Sequence, residues 1–340
     1  MRILIDVNHP AHVQVFRNAA KDWIAGDHAV LFTATDKDVA LRLLDAYQLP
    51  CEVLYKRTPG LLHLARELVV RTGKLIRVGM RFRPDVILSV GSPTAAWAAA
   101  ILRRPHIAFE DTEDSMSQIR LYQPFTKAIC VPDCFMHDLG ERMVRYPGYH
   151  ELAYLHPKRF LPDPAKIAPL ASNDRYFVVR FISWDATHDD QQRGTSEAGK
   201  EQLIRMLRSH GKVVLSVESH PPVLFDNGHR ELNADAMIHL LAFAELYVGE
   251  GVTAASEAAV LGTPAVLINS RELGYIKEQE ERYRLGYRFA DENDAIDKIE
   301  RMLQQRDLKS VWRCRQEVLL RDKIDVTDWM KEFVKEIVGG

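Results

Sequence analysis

Short apolar runs alternate with amphipathic segments along the chain, and this pattern predicts an α/β protein. The apolar runs predict strands at 2–7, 28–34, 51–55, 85–90, 106–109, 127–131, 176–182, 212–217, 246–248 and 286–289. The amphipathic segments predict helices at 12–25, 37–47, 61–82, 94–102, 197–210, 234–242, 254–261 and 292–304, and two more between 308 and 338. Strands that alternate with helices form parallel sheets covered on both faces, and continuous apolar strands suit that burial.

The chain is expected to form two such domains. At 340 residues it exceeds the size that one hydrophobic core usually serves. Between residues 146 and 174 the periodicity is lost and five prolines occur, as in a connector. We predict two doubly wound Rossmann-like domains facing a central cleft, at 1–160 and 161–320, and a helix at 321–340 that packs back on the first. Ligands bind such sheets at the carboxyl ends of the strands.

The composition is typical of a soluble globular protein without general affinity for nucleic acid. Apolar residues make up 46% of the chain, charged residues 27%, and the net charge is −2. The first residues run directly into a strand, so neither a signal peptide nor a spanning helix is predicted. The four cysteines form no paired framework, and buried thiols in a reducing cytosol are favoured over a metal site at Cys130 and Cys134. We expect a cytoplasmic protein.

Residues 244–270 carry the most specific signal, which is a strand, a turn of small residues, a helix and a second strand. The first strand stops at Gly249, and Gly251 and Thr253 open the helix, with Glu257 one turn further. A helix N-terminus exposes unpaired amides and about half a positive charge, and so favours a bound phosphate. Glu257 is placed to accept hydrogen bonds from the hydroxyls of a ribose. The alternative is an ordinary β-α-β turn, because the full glycine fingerprint is absent.

Polar residues follow the first predicted strand. They include Asp6, Asn8, His9 and His12, and His12 begins the next helix. An imidazole there binds phosphate when charged or acts as a general base near neutral pH. The alternative is that His12 caps the helix. Asp6 and Asn8 are common turn formers, and Asn8 and His9 are candidate substrate contacts.

Two more loops follow predicted strands of the first domain. Ser92 and Pro93 are typical of a helix N-cap and first turn, although amides there can also face a ligand. Residues 110–114 hold four acids whose mutual repulsion can raise a pKa into the range of acid/base catalysis. The same acids suit a divalent cation or the start of a helix near residue 117.

In the second domain, Arg180, Trp184, Asp185 and His188 follow the strand predicted at 176–182. A cation beside an aromatic ring at a strand end suits an anion or a sugar, because sugars stack on rings. The alternative is a solvated loop, and such a loop can act as a mobile lid.

The helix predicted at 61–82 is strongly basic. Residues 56–83 carry eight Lys or Arg against one acid, and Arg66, Lys74, Arg77 and Arg81 share one narrow arc. A basic amphipathic helix can lie on an anionic membrane. The alternative, which the composition favours, is a helix packed on the core with a solvated charged face.

Three segments together resemble a known group of proteins. IDVNHPAHVQVFRN, EDTED and GVTAASEAAVLGTPAVLI are similar to an uncharacterised family of GT-B glycosyltransferase-like proteins. That family is related to UDP-N-acetylglucosamine 2-epimerases and to the lipid-linked N-acetylglucosaminyltransferase of peptidoglycan synthesis. The resemblance covers nearly the whole chain. It implies a GT-B fold, a nucleotide-sugar donor on the C-terminal domain, an acceptor against the N-terminal domain, and transfer without a metal or other cofactor.

The resemblance also implies roles for individual residues. Gly251 and Thr253 would contact the donor diphosphate and Glu257 the ribose, while His12 and Glu113 match residues of the catalytic side. The chain departs from the residues usual in these families at three positions, and these departures leave the reaction open. It has Val252 where the family has a second glycine, an added negative charge at Glu250, and Ser92 where the epimerases have an aspartate.

We therefore expect a metal-independent glycosyltransferase-like enzyme that uses a nucleotide sugar, with UDP as the expected nucleotide, in surface polysaccharide or envelope glycan synthesis. Glycan and lipid-linked acceptors are both compatible, the latter with a peripheral position at the inner membrane face through residues 61–83. The alternatives are a nucleotide-sugar 2-epimerase or hydrolase, and a catalytically silent nucleotide-binding domain.

Overall fold

The chain divides into two compact units. Unit 1 comprises Met1–Arg159 and Ile324–Gly340, and unit 2 comprises Phe160–Lys323. The computed structural model describes residues 1–36, 38–56, 61–168, 175–181, 195–217, 223–224 and 235–339.

Unit 1 is built on a seven-stranded sheet in which all pairings are parallel. Its strands are β1 (Arg2–Val7), β2 (Ala29–Asp36), β3 (Cys51–Lys56), β4 (Val86–Val90), β5 (His106–Phe109), β6 (Ala128–Pro132) and β7 (Met143–Tyr146). Their spatial order is β3-β2-β1-β4-β5-β6-β7. Ile5 of β1 lies between Phe32 of β2 and Leu88 of β4, and all three side chains are fully buried. The middle of the sheet is therefore covered on both faces.

Helices connect these strands and form the two covering layers. They are α1 (Pro10–Ala25), α2 (Asp38–Ala46), α3 (Leu61–Phe82), α4 (Pro93–Leu102), α5 (Met116–Tyr122) and α6 (Leu152–Leu155). Helices α1 and α2 pack on each other, whereas α3 packs on α4 and α4 on α5. Right-handed crossovers require this division, because the chain moves one way from β1 to β3 and the other way from β4 to β6.

Unit 2 contains a six-stranded sheet of the same kind. Its strands are β8 (Tyr176–Phe181), β9 (Lys212–Val217), β10 (Val223–Leu224), β11 (Leu246–Gly249), β12 (Ala265–Ile268) and β13 (Gly286–Phe289). Their order is β10-β9-β8-β11-β12-β13, and the pairing of β10 with β9 is antiparallel while the others are parallel. The helices are α7 (Glu197–Arg208), α8 (Ala236–Phe243), α9 (Val252–Val260), α10 (Gly274–Glu281), α11 (Glu292–Leu303) and α12 (Leu308–Asp322).

The last helix, α13 (Val326–Gly339), packs on α1 and α6 of unit 1. Arg159 holds its start through ion pairs with Asp325 at 2.7 Å and with Asp328, and it also pairs with Asp22 of α1 at 2.9 Å. Lys331 of α13 adds a second bond to Asp22. One arginine and one lysine thus join three carboxylates around the point where the chain re-enters unit 1.

The predicted alternation of strands and helices is confirmed, and several details differ. Helix α3 and strand β5 have the predicted bounds. Helix α1 begins at Pro10 rather than residue 12, because His9 is its N-cap. Strand β7 and helix α10 were not predicted, since each is short or lacks a clear apolar period. Helix α5 begins at Met116, one residue before the helix start that the acidic loop suggested near residue 117. All four cysteines are free, but only Cys130 is fully buried. Among the described residues, no helix combines the length and apolarity needed to cross a membrane.

Candidate functional site

A buried carboxylate organises the carboxyl edge of the sheet in unit 1. Asp6, near the end of β1, is completely buried and accepts bonds from Arg71 of α3 at 2.7 and 2.8 Å. It also accepts from Thr33 of β2 at 2.9 Å and from the Ser92 hydroxyl at 2.8 Å. A buried charge without such partners would cost several kcal/mol. Asp6 is thus more than the turn former that the sequence suggested, since it joins β1, β2, α3 and the loop before α4.

Ser92 performs the capping role predicted for it. It is the N-cap of α4, its hydroxyl accepts from the Ala95 amide at 3.3 Å, and Pro93 occupies the first turn. The hydroxyl also donates to Asp6. Ser92 is completely buried, so its side chain supports Asp6 and α4.

The first helix places two histidines beside each other at the same edge. His9 caps α1 by accepting from the Ala11 amide at 3.2 Å, and the His9 and His12 rings are 5.8 Å apart. The capping histidine is therefore His9 and not His12. The Asn8 amide donates to Nδ1 of His12 at 3.3 Å, and the Asn8 side-chain Oδ1 is buried without a hydrogen-bond partner among the described residues.

The acidic loop after β5 contains two adjacent carboxylates with opposite properties. Burial, reinforced by the charge of Asp111, raises the pKa of Glu110 to about 7, although Glu110 accepts from the Tyr122 hydroxyl at 2.9 Å. Burial would raise the pKa of Asp111 as well, but the charge of His150 and its hydrogen bond lower it. Nδ1 of His150 and Oδ2 of Asp111 are 2.8 Å apart. The charge of His12 also contributes to the lowered pKa of Asp111.

His150 follows β7 and is almost completely buried. Burial would lower its pKa, but Asp111, and to a lesser degree Glu151 and Glu110, raise it. Its other ring nitrogen, Nε2, is buried without a hydrogen-bond partner among the described residues. An imidazolium paired with a carboxylate in this way fixes the orientation and the charge of Asp111.

Glu113 lies further along the same loop, in a short 3₁₀ turn before α5, and is 2% exposed. The Met136 amide donates to its Oε1 at 3.2 Å. Glu113 is thus held in the interior of unit 1, in contrast to the half-buried His12.

In unit 2, the strand, the glycine turn and the helix occur in the predicted order. Strand β11 ends at Gly249, and α9 begins directly after Gly251. Because Gly251 is the N-cap, no side chain at that position competes for the first-turn amides. A Cβ on Gly251 would be 3.5 Å from Cδ and Nε of Arg180, so the Arg180 side chain lies directly beside the start of the helix.

The neighbourhood of this turn is tightly packed. Gly249 pairs with Arg180 across the sheet, and a Cβ at Gly249 would be 2.3 Å from the Arg180 carbonyl oxygen. The Tyr247 hydroxyl donates to the Gly251 carbonyl at 3.2 Å. The Arg180 guanidinium bonds to Ser216 of β9 at 3.1 Å. A glycine is therefore required at 249, and a fixed cation lies beside the amides of α9.

The two neighbours of Gly251 in the chain, Glu250 and Val252, are both buried. Glu250 is completely buried, and its Oε1 accepts from the Thr195 amide at 2.6 Å, just before α7. This carboxylate is thus bound at the positive end of a different helix. Its backbone carbonyl accepts from Asn269 at 3.0 Å. Val252 is the first residue of α9 and is 9% exposed.

The remaining predicted residues of unit 2 are only partly described. Thr253 lies in the first turn of α9 and is half-buried, and Glu257 lies further along the helix and is 8% exposed. Trp184, Asp185 and His188 lie outside the described residues.

The basic helix α3 follows the alternative that the composition favoured. Leu75 and Val78 are buried in the core against α4, while Lys74, Arg77 and Arg81 are exposed. Arg81 pairs with Glu52 of β3. The Arg66 side chain lies outside the described part of the chain. The buried apolar residues of α3 are therefore not available to a membrane surface.

Arg71 and His150 belong to the site of unit 1, and the sequence did not point to either. Arg71 was one of several cations on a basic helix, and His150 lay in a segment predicted as a connector. A signal existed for Arg71, because it falls outside the arc shared by the other basic residues of α3. Nothing in the sequence around His150 distinguishes it from a loop residue.

Solved structures similar to the whole chain include an epimerase and several glycosyltransferases. One is a UDP-GlcNAc 2-epimerase from Neisseria meningitidis bound to UDP-GlcNAc, with 11% identity, 100% of both chains covered and a TM-score of 0.69. Another is the glycosyltransferase SnogD from Streptomyces nogalater, with 16% identity, 99% of both chains covered and a TM-score of 0.63. A third is the spinosyn forosaminyltransferase SpnP, with 11% identity, 100% of both chains covered and a TM-score of 0.67.

No family model and no curated protein matches the sequence. At identities this low, the structural likeness shows the fold and not the reaction. The fold is GT-B, with two Rossmann-like sheets, and this confirms the architecture expected from the sequence.

Proposed function

We propose that this protein is a glycosyltransferase that uses a nucleotide sugar, with a UDP-linked donor and an acceptor from surface polysaccharide or envelope glycan synthesis. The observation that supports this most directly is the start of α9, where Gly251 leaves the first-turn amides uncapped beside Arg180. The kinds of enzyme that share the fold support the same reading.

The proposed donor site uses two sources of positive charge. The amides at the start of α9 and the Arg180 guanidinium would bind the diphosphate, and Glu257 would accept bonds from the ribose. Negative charge builds up on the diphosphate as the sugar leaves, and preorganised donors stabilise it most at that point. Because Glu250 is bound to the Thr195 amide, its charge is directed at α7, which reduces its repulsion of a diphosphate.

On the acceptor side, we propose His12 as the group that takes the proton from the attacking hydroxyl. His12 is half-buried, whereas Glu113, the second candidate, is 2% exposed and already accepts from the Met136 amide. Asp111, whose pKa the charge of His12 helps to lower, would in turn stabilise the imidazolium that forms. Proton uptake at Nε2 requires the neutral ring to carry its proton on Nδ1, so the long Asn8–His12 bond of 3.3 Å must open.

The first test is nucleotide binding. A thermal-shift and calorimetric panel of UDP, GDP, CMP and dTDP, free and sugar-linked, should give a shift with one nucleotide family, because a ligand at 100 times its Kd stabilises by about 2.7 kcal/mol. Arg180→Gln should weaken binding by about 10- to 100-fold, since a hydrogen bond to a charged group contributes about 1.5–3 kcal/mol. The matched control is Arg175→Gln, at the other end of β8, where the arginine pairs with Glu245.

Glu257→Ala should also weaken binding, and equal affinity in Glu257→Ala and wild type would contradict the ribose assignment. If no nucleotide shifts the melting temperature, the result favours the alternative of a catalytically silent GT-B domain. An epimerase or hydrolase is the remaining alternative, and it consumes the donor in the absence of any acceptor. Burial of Ser92 against Asp6 disfavours the epimerase, because the position offers no free acid for proton transfer.

A further inference from the structure

Five large apolar side chains are exposed on the layer formed by α3, α4 and α5 in unit 1; one is Val69 near the middle of α3, and the other four lie where the helices end. These four are Met80 of α3 (60% exposed), Ile101 of α4 (63%), Leu121 of α5 (48%) and Phe125 just beyond α5 (48%). Each lies near the end of its connection and shortly before the next strand begins. They therefore lie toward the amino edge of the sheet, opposite the edge that carries Asp6 and His12. We call these four residues the amino-edge surface.

The helices that carry this surface are in direct contact. A Cβ on Gly79 would be 2.3 Å from Cδ1 of Leu102, so α3 and α4 touch where Met80 and Ile101 lie next to the contact residues. The Trp97 indole of α4 donates to the Leu121 carbonyl at 3.0 Å, which joins α4 to α5. The exposed apolar side chains thus belong to one continuous layer and are not scattered over the molecule.

Cations surround this apolar surface. Residues 72–109 contain six Lys or Arg and one acid, Asp85, which accepts from the Arg2 amide at 2.8 Å. The exposed cations near the surface are Arg77, Arg83, Arg103, Arg104, Arg120 and Lys127. Favourable interaction with helix C-termini accounts for some of these charges, but it gives no reason for the exposed Met80, Ile101, Leu121 and Phe125.

The combination of charge and apolar area distinguishes between possible partners. A second copy of this chain docked face to face would bring each arginine cluster against its own image, at a cost in repulsion. An anionic lipid surface instead attracts the cations and accepts the apolar side chains among its head groups.

We propose that the amino-edge surface docks unit 1 on a membrane that contains anionic lipid. Met80, Ile101, Leu121 and Phe125 enter the interface, and the surrounding arginines bind lipid phosphates. This proposal does not depend on the proposed transferase activity. It differs from a membrane role for α3 alone, because the apolar residues of α3 at Leu75 and Val78 are used in the core. Docking through this surface turns the Asp6 edge of the sheet away from the bilayer.

The test is co-sedimentation of the full chain with vesicles of neutral phosphatidylcholine, or of phosphatidylcholine with anionic phosphatidylglycerol. The wild type should bind the anionic vesicles at low salt, be released by high salt, and show little binding to the neutral ones. Arg103→Gln with Arg104→Gln should weaken partitioning by about 25-fold, at about fivefold for each cation. Ile101→Glu with Leu121→Glu should abolish binding.

The matched control is Val311→Glu with Val318→Glu, which changes two exposed valines of α12 in unit 2 and should leave binding unchanged. Because all substituted side chains are exposed, circular dichroism and melting temperature should stay at wild-type values. Equal binding by wild type and the Ile101 and Leu121 variant would overturn the proposal. So would a wild-type dimer in light scattering that the same variant converts to monomer, since the surface would then be a contact between copies.

Discussion

Replacement of Glu110 by Gln should make the stability of unit 1 less dependent on pH. Burial raises the pKa of Glu110 from 4.5 to about 7 in the folded protein. Because the folded state holds the proton more tightly, the contribution of Glu110 to stability is fully present below pH 4.5 and is lost as the pH rises toward 7. Raising the pKa of Glu110 from 4.5 to about 7 corresponds to a loss of about 3 kcal/mol of unfolding free energy once the pH exceeds 7.

Glutamine resembles the neutral acid and does not ionise. Its amide oxygen can accept from the Asp111 and Thr112 amides, as Oε1 of Glu110 does at 3.2 and 3.1 Å. Its amide nitrogen would face the Tyr122 hydroxyl, which now donates to Oε2. The rearranged contact with Tyr122 costs about 1 kcal/mol at every pH. The difference in unfolding free energy between Glu110→Gln and wild type therefore identifies the ionisation of Glu110 through its change with pH, and not through its constant part.

The assay is urea unfolding at a series of pH values from about 4 to 8, because this range spans both pKa values of Glu110. Pulsed hydrogen exchange with mass spectrometry should follow peptides of unit 1, since a chain with two units need not unfold in one step. The free energy of unfolding of Glu110→Gln minus that of wild type should rise by about 3 kcal/mol across this range. Glu141→Gln, at an exposed position of the same unit, should run parallel to wild type. Parallel curves for Glu110→Gln would refute the reasoning.

Three further substitutions test the carboxyl edges of the two sheets. Asp6→Asn should lower the stability of unit 1 by about 3–5 kcal/mol, because it leaves Arg71 as an uncompensated buried cation; urea unfolding should show much less loss for Asp6→Leu combined with Arg71→Met. Gly249→Ala should weaken nucleotide binding and lower the melting temperature of unit 2, since its Cβ meets a backbone oxygen at 2.3 Å. His12→Ala should leave nucleotide affinity unchanged in calorimetry and lower turnover by about 100-fold or more, whereas an unchanged turnover would move the base to another residue.

The sequence predicted the regular elements well where the pattern was long. Helix α3 has the bounds predicted from its period over 22 residues, and the order of strands and helices around β1 follows directly. Strand β7 was missed because it is short and three of its four residues are partly or fully exposed, so it lacks the apolar run of a buried strand. Helix α10 was missed because GYIKEQEE is mostly polar.

The candidate site was predictable where a local rule applies. A glycine turn between a strand and a helix is a local feature, and α9 begins directly after Gly251 as that turn predicted. The contact of Arg180 with Gly251 arises from the pairing of β8 with β11, which the sequence did not specify. Ser92 followed from capping preference. The Arg71–Asp6 and His150–Asp111 pairs were not predictable, because residues 65 and 39 positions apart meet only through the sheet order. The helix cap that the sequence offered as the alternative role of His12 is made by His9 instead.

The acidic loop illustrates why tertiary contacts decide chemistry that composition leaves open. Repulsion between neighbouring acids suggested that one pKa would be raised, but nothing in the sequence indicated which one. The structure separates them through His150, whose ring reaches Asp111 at 2.8 Å and keeps that carboxylate ionised, while burial leaves Glu110 with a pKa of about 7. Two acids with opposite shifts suit different roles. His150 holds Asp111 through this contact, which gives His150 a positioning role, while the half-buried His12 is left as the group proposed to take the proton.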